Sequence, residues 1–581
     1  TLTIHSDINL AEPEGRFFCH DTGVKRLSND IHYEGIHGII QPSTKGGFRM
    51  SFKTNDVEQL SLFDSFTNLT SREQKALENS WAKVFAEEVF PKIDEKPFAV
   101  LYSNKASRPN TPVNVIIGAC IIKELFDYSD DEMVEGLMLD LRLQYALHTT
   151  SFEEQPLSDK TLSRFRRRCY DYEQTHGVDL YKSAIKSYNK EIAKMMNLDG
   201  RIRRMDSMMI NSNMRMLARS ELIYTSIARL VQYLAANCPE IIPESLKHYA
   251  QSNDFNKVFY HERTSTLTER MNQFLTDAET LYDITKSGFE EVPEYELFIR
   301  CFAEQSIVEE GKRRWVGKAD QLGNSTLLQN PTDPEATFRR KAGKEYRGYV
   351  ANVEETVGKN GSVVTDYAYE PNIHSDSQFI KDHLEAMQRQ DQSTKIITDG
   401  AYYSDAAQKL AAEKNVELVP TALAAKKNRR DVSGFKMNEQ QTAVLKCPAG
   451  HEPQYCCYKQ SNDEFKLSFD RNTCASCPRK EQCHAKIFKK VAQVLVTKKS
   501  LTRISLEEKM SGKEYDLYRR IRNGVETIPS ILRRKYHLEK LPLGKQRGKF
   551  FFGSKIAALN FRKLFCFARG LGSYAPNPLL G

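Results

Sequence analysis

Apolar residues recur at three- and four-residue steps from Ser71 onward, a spacing typical of helices. The clearest stretch runs from 112 to 147 and includes Val115, Ile116, Ala119 and Ile122. The pattern predicts a helical N-terminal domain over residues 71–195. The preceding 1–70 carry little periodicity at their start, which predicts a poorly structured segment.

A different pattern begins after Gly200. RIRRMDSMMI, residues 201–210, is basic at its start and apolar around one acid, Asp206, which predicts a short strand. The helical spacing then returns from about 212 to 323 and predicts an all-α insertion. Two further strand-like runs flank the turn sequence KNGS and predict a hairpin, because Asn-Gly is a favoured turn pair.

The next segments alternate between strand and helix. KIITDGAYY and VELVPTA read as strands, and SDAAQKLAAEKN between them reads as a helix, an order that implies parallel strands joined by a crossover helix. The fold class is therefore α/β, with a mixed-sheet core made of residues 196–423 and 503–570. A Cys-rich insertion, 424–502, interrupts this core, and 571–581 form a C-terminal tail.

Composition narrows the class of protein. The 581 residues are 40% hydrophobic and 28% charged, enough apolar material for more than one core. No apolar run is long enough to span a bilayer, and no signal-peptide pattern opens the chain. We expect no membrane partner and a cytoplasmic location.

Positive charge is concentrated near the C-terminus. Between Ile531 and Gly570 there are eleven Lys or Arg residues and one acid, Glu539, whereas the whole chain carries a net charge of +8. A local excess of this size predicts a polyanionic partner, double-stranded DNA above all. The candidate contacts in and near this region are Arg519, Arg522, Arg533, Lys545, Arg547 and Lys549.

A second basic segment is SDKTLSRFRRR, residues 158–168. A helix there carries Arg164, Arg166 and Arg167, which could lie against phosphates in a DNA groove. The alternative is a surface helix with ordinary arginines, and the residues alone leave both open.

Three acids have positions suited to phosphodiester chemistry. Asp206 and Asp399 occur at strand positions, where Asp is disfavoured, and Glu526 lies in a predicted final helix among arginines. Two divalent metal ions about 3.5–4 Å apart can clamp the attacking and leaving oxygens of a phosphodiester, and they need converging carboxylates. Each acid alone could instead be a hydrogen-bonded turn residue or part of an exposed ion pair.

Half of the twelve cysteines fall between Cys447 and Cys483. The Cys474-x2-Cys477 pair has the short spacing of a tetrahedral zinc site, although the full spacing fits no standard finger. A structural zinc and plain reduced thiols both remain open. The candidate ligands are Cys447, Cys456, Cys474, Cys477 and Cys483.

The order of these motifs resembles bacterial insertion-sequence transposases of the DDE type. A helical N-terminal domain with SDKTLSRFRRR is followed by MDS, by ITDGAY and by an R-x3-E-x6-R helix, over about 71–567. The related signature Tyr-x2-Arg-x3-Glu-x6-Lys is partly kept. Arg522 and Glu526 fit it, Arg519 stands where Tyr is expected, and Arg533 replaces Lys.

The resemblance implies a ribonuclease-H-like core in which Asp206, Asp399 and Glu526 bind Mg²⁺ or Mn²⁺ for DNA cleavage and strand transfer. It also implies a homodimer on paired terminal inverted repeats, a target DNA, and an association with the nucleoid. Two alternatives remain: a nuclease of the same fold without strand transfer, and a DNA-binding derivative that no longer catalyses.

Overall fold

The structure is a computed structural model that describes residues 51–55, 65–103, 108–152, 154–261, 266–320, 323, 325–423, 434–438, 442–481 and 483–572. Most of the predicted N-terminal segment and of the predicted C-terminal tail lies outside these residues. No helix among the described ranges is long and apolar enough to cross a membrane.

Helices make up the first part of the described chain, as the spacing predicts. Thr70 and Ser129 form capping boxes with Glu73 and Glu132, which satisfy the free amides at two of the helix starts. The helices are α1 (Ser71–Glu78), α2 (Trp81–Val84), α3 (Val113–Phe126), α4 (Asp130–Leu139), α5 (Leu141–Ala146), α6 (Thr161–His176) and α7 (Leu180–Met195).

The acid-bearing strand β1 (Ile202–Asn211) follows and leads into the insertion. The insertion has its own apolar core, and the prediction that it is all-α needs one correction, a two-stranded hairpin. Its loop, Glu310 and Gly311, has positive φ at both positions, the conformation that two-residue hairpin turns require. The elements are α8 (Arg219–Asn237), α9 (Asp254–Asn256), α10 (Leu267–Thr285), α11 (Pro293–Gln305), β2 (Ser306–Glu309) and β3 (Lys312–Trp315).

The central sheet is mixed, which confirms the predicted fold class. Its elements are β4 (Thr337–Lys341), β5 (Lys344–Gly358), β6 (Gly361–Pro371), α12 (Asp376–Ala386), β7 (Thr394–Thr398), α13 (Asp405–Glu413) and β8 (Val416–Pro420). Strands lie in the order β6-β5-β1-β7-β8, with β4 also paired to β5. The β1, β7 and β8 neighbours are parallel, and β5 runs antiparallel to β1 and β6. The predicted hairpin and the predicted parallel crossover are both present.

The Cys-rich region forms a small β unit. Alternate residues of two neighbouring strands are buried in its own apolar core. Its elements are β9 (Lys436–Met437), β10 (Val444–Lys446), β11 (Tyr455–Lys459), β12 (Glu464–Asp470), α14 (Arg471–Ala475), β13 (Lys486–Ile487) and β14 (Val491–Thr497).

Four α-helices end the described part of the chain: α15 (Lys498–Met510), α16 (Lys513–Asn523), α17 (Thr527–Lys535) and α18 (Lys545–Ala568), with a short 3₁₀ turn, Gly524–Glu526, between α16 and α17. The last helix is buried along most of its length and packs against α3, α7 and β6. One continuous apolar core therefore joins the N-terminal helices, α18 and one face of the sheet.

Candidate active site

Asp206 and Asp399 lie level with each other on neighbouring parallel strands. Arg204 of β1 pairs with Ile397 of β7 at the end of their ladder, and each acid follows two residues later, near enough that the charge of Asp399 raises the pKa of Asp206. Asp399 directly follows β7 and accepts a hydrogen bond from the amide of Ala401 at 2.8 Å. The sheet thus brings together the two acids that the sequence placed 193 positions apart.

The carboxyl of Asp206 is held in an unfavourable place for a negative charge. Burial raises its pKa to about 6, and the nearby charge of Asp399 adds to this. The guanidinium of Arg522 and the Ser207 amide act in the opposite direction but only in part. A nearby cation would stabilise the ionised form of such an acid.

Glu526 reaches the same face from the turn between α16 and α17. Its side chain is 62% exposed, and its Oε1 accepts a hydrogen bond from Nη1 of Arg522 at 2.5 Å. The other terminal nitrogen of Arg522 lies 3.3 Å from Oδ2 of Asp206. One guanidinium therefore bridges the acid of the strand and the acid of the turn.

The three acids do not form a preassembled metal-binding site. Among the residues that the structure describes, no group of three metal-binding side chains is close enough to hold one ion. Arg522 lies between Asp206 and Glu526, and these two acids contact it from β1 and from the turn after α16.

The arginines of α6 have two different environments. Arg164 and Arg167 are exposed. Arg166 is buried, pairs with Asp130 and lies 5.1 Å from the ring centroid of Phe551. Of the three, the structure leaves Arg164 and Arg167 on the surface and places Arg166 in an interior ion pair.

The basic residues of α18 are mostly paired inside the molecule. Lys545 pairs with Glu370 at 2.6 Å, and Lys549 pairs with Asp179 at 2.6 Å and also with Glu173. Arg547 is exposed. Charge that is concentrated in the sequence is therefore not equally concentrated on the surface.

Arg519 and Arg533 also have partners. Arg519 pairs with Asp516 at 2.7 Å, on the helix that leads to Glu526. Arg533 donates to the Met209 carbonyl at 2.8 Å and to Glu539 at 2.9 Å. The second of these arginines ties α17 to the end of β1.

A basic cavity of about 510 Å³ opens beside Glu526, between α17 and α18. Three of its cations, Arg534, Lys535 and Arg562, are close enough that the two guanidinium charges, after burial, lower the pKa of Lys535. Arg534 and Lys535 were not singled out beyond the general charge excess. Their signal in the sequence is the Arg-Arg-Lys run at the end of the helix after Glu526.

Six cysteines of the β unit are partly buried, and four of them contact its apolar core: Cys447, Cys456, Cys474 and Cys483. Burial and, to a lesser extent, the neighbouring thiols of Cys447 and Cys477 raise the pKa of Cys474. All five predicted zinc ligands belong to this β unit, but among the described residues no three of them are arranged to hold one ion.

Two family models match the sequence. Residues 72–168 match "Transposase domain (DUF772)", and residues 446–565 match "Transposase DDE domain". The chain therefore carries the two domains of a DDE-type DNA transposase. Their order, a helical N-terminal domain and then a DDE domain, is that of insertion-sequence transposases.

A DDE domain marks the transposase as a polynucleotidyl transferase or nuclease that depends on divalent metal ions. The second match contains Glu526, whereas Asp206 and Asp399 lie outside both matched ranges. A solved structure titled as a piggyBac transposase synaptic complex with hairpin DNA is 10% identical, with 71% of this chain and 77% of that chain covered and a TM-score of 0.21. That likeness is too weak to inform on fold or function. No curated protein matches the sequence.

Proposed function

We propose that the transposase cuts DNA at the ends of its element and joins them to target DNA with Asp206, Asp399 and Glu526 as its metal ligands. The observation that carries this proposal is the level placement of Asp206 and Asp399 on parallel strands, with Glu526 brought to the same face by α16. Three carboxylates from three elements are the donor set that two-metal phosphoryl transfer needs.

The residues present fit Mg²⁺ or Mn²⁺. All three donors are carboxylates, which hard cations prefer, and burial leaves Asp206 with a raised pKa that a cation would lower. When bound, two such ions activate the attacking hydroxyl and neutralise the leaving oxygen. The role of the protein itself is to orient the carboxylates and to exclude bulk water from Asp206.

Arg522 has two roles in the proposed reaction. Without metal it neutralises the facing acids, since its two terminal nitrogens bond to Asp206 and Glu526. With these carboxylates committed to metal, the guanidinium of Arg522 would be free beside the site. A phosphate oxygen of the substrate is then its natural partner.

Double-stranded DNA would contact the transposase through exposed basic residues. The cavity beside Glu526 and exposed arginines of the predicted set, Arg164, Arg167 and Arg547, are the proposed phosphate contacts. Arg166 and Lys549 would have to leave interior ion pairs to reach DNA, so we propose no contact for them.

Zinc is proposed as a structural ion of the β unit. Cys447, Cys474 and Cys477 supply soft thiol donors near one another, and Cys456 and Cys483 contact the same apolar core. The thiols would lose their protons to solvent and hold the metal as thiolates, and the site would hold the loop ends of this small unit together.

The assembly and location follow from the same function. Two copies would hold two terminal inverted repeats, and sedimentation of the transposase with end-bearing duplexes should give a dimer on DNA. A cytoplasmic, nucleoid-associated location is proposed because the substrate is chromosomal.

A strand-transfer assay tests the proposal against a simple nuclease. Precut element ends, supercoiled target and Mg²⁺ are mixed with the transposase, and joined products are counted. Joined ends that require Mg²⁺ support the proposal. Cleavage of uncut ends with no joining of precut ends would indicate a nuclease, and neither product would indicate a DNA-binding derivative.

A further inference from the structure

Arg204 belongs to a buried group of charges directly beside the candidate active site. It stands two residues before Asp206, on the same face of β1, and its side chain is only 6% exposed. Across the ladder its partner is Glu355 of β5, whose side chain is fully buried and accepts from Nε of Arg204 at 2.6 Å. Lys563 of α18 donates to the other oxygen of Glu355 at 2.8 Å.

This group contains more positive than negative charge. Lys563 and Arg204 together outweigh burial and lower the pKa of Glu355, so two cations share one carboxylate. An uncompensated charge in a protein interior is costly, and Arg204 must direct its remaining N–H groups at acceptors.

The acceptor is the end of α16. Nη1 of Arg204 donates to the carbonyl of Ile521 at 2.6 Å, in the last turn of the helix. The last carbonyls of a helix lack partners within it and carry the negative end of its dipole. The excess charge of the buried group therefore stabilises the C-terminus of α16, immediately before the turn that carries Glu526.

Gly524 shows how close this contact is. A Cβ built at that position would lie 2.0 Å from Nη1 of Arg204, so the guanidinium fills the space that a side chain would need. The backbone of Gly524 has φ of −61°, which any residue can adopt. Close approach, and not an unusual backbone angle, is what requires glycine here.

We infer that Arg204 is a positioning residue that fixes the turn Gly524–Glu526 against β1 and thereby sets the separation between Glu526 and Asp206. The inference rests on the proposed role of those two acids. Arg204 touches neither of them and acts only through the end of α16. Glu355 and Lys563 hold the guanidinium in place.

Two substitutions test the inference from opposite sides. Arg204→Lys keeps one charge for Glu355 but loses the fork that reaches Ile521, and Gly524→Ala keeps every charge but pushes the guanidinium away. The control is Arg219→Lys in the insertion, where a guanidinium likewise donates to backbone carbonyls, Val316 at 2.6 Å and Gln305 at 3.0 Å. Thermal unfolding, affinity for end DNA, Mn²⁺ affinity without DNA, and cleavage are measured for each.

We expect both test variants to bind end DNA within about twofold of wild type, to bind Mn²⁺ at least tenfold more weakly and to cleave about 100-fold more slowly, a loss typical of a misplacement near 1 Å. The loss should fall on kcat and not on KM. The control should change thermal stability alone. The double variant should be no worse than Arg204→Lys, because the clash at Gly524 disappears when the guanidinium is gone.

The outcomes separate this inference from the proposed function. If Glu526→Gln weakens Mn²⁺ binding but both test variants bind Mn²⁺ normally, Arg204 is not a positioning residue. If Glu526→Gln itself binds Mn²⁺ normally, the assigned triad fails first. Should Arg204→Lys not fold, Gly524→Ala with normal Mn²⁺ affinity overturns the inference on its own.

Discussion

Asp206→Asn should make the transposase more stable at neutral pH while it removes a proposed metal ligand. The carboxylate of Asp206 is buried, and its raised pKa means that its ionised form destabilises the folded protein in the absence of metal. Asparagine has nearly the same shape and carries no charge, so the substitution removes this cost and leaves the packing of β1 in place.

The magnitude follows from the shift. The ordinary pKa of 3.8 rises to about 6 in the folded protein. An acid whose pKa is raised in the folded state binds its proton more tightly there than in the unfolded state. The free energy of unfolding therefore falls as pH rises from about 4 to 6, and this loss is complete above that range. Two pKa units correspond to about 3 kcal/mol. For one cooperative unit of this size that is roughly 3 °C in Tm.

Calorimetric unfolding in EDTA from pH 4 to pH 8 measures the effect. Asp206→Asn should match wild type near pH 4 and exceed it by a few degrees at pH 8, whereas Asp391→Asn, at an exposed position, should follow wild type throughout. A variant no more stable than wild type at pH 8, or a gap that does not depend on pH, would refute the reasoning.

Three further predictions concern other parts of the molecule. His383 lies 2.6 Å from the buried carboxylate of Glu354, which raises the imidazole pKa against the effect of burial. His383→Gln should therefore cost most stability below pH 6.5, and an equal Tm loss at pH 6 and pH 9 would show that the pair contributes no charge-dependent stability. Metal analysis should find about one Zn²⁺ per chain, and Cys477→Ser should lower both zinc content and Tm; zinc-free wild type would end that proposal. Replacing Arg534 and Lys535 with Ala should flatten the slope of log affinity against log salt by about two units for any DNA sequence, and an unchanged slope would remove the cavity beside Glu526 as a phosphate site.

The sheet and two of its acids were predictable from the sequence because they depend on local patterns. Apolar residues around a single acid marked β1, and the strand-helix-strand order marked β7 and β8 as parallel neighbours. An acid in an otherwise apolar strand is unusual, so Asp206 and Asp399 stood out before their register was known. The all-α insertion was wrong at β2 and β3, because the basic residues of β3 masked a hairpin.

The meaning of the C-terminal charge could not be read from the sequence. Lysines at α18 positions 545, 549, 555 and 563 find acids on distant parts of the chain. Local spacing does not reveal such partners, so a helix inside the core resembles a basic surface. The role inferred for Arg204 was hidden for the same reason, although its place two residues before Asp206 puts both on one face.

One measurement tests the central claim most directly, namely Mg²⁺-dependent cleavage of end DNA by Asp206→Asn, Asp399→Asn and Glu526→Gln, with DNA affinity measured on the same preparations. Each variant should lose cleavage and keep nearly normal affinity, because each removes a metal ligand and little phosphate contact. Near-wild-type cleavage by any one of them would remove that residue from the triad, and full cleavage by the wild type in EDTA would contradict the account as a whole.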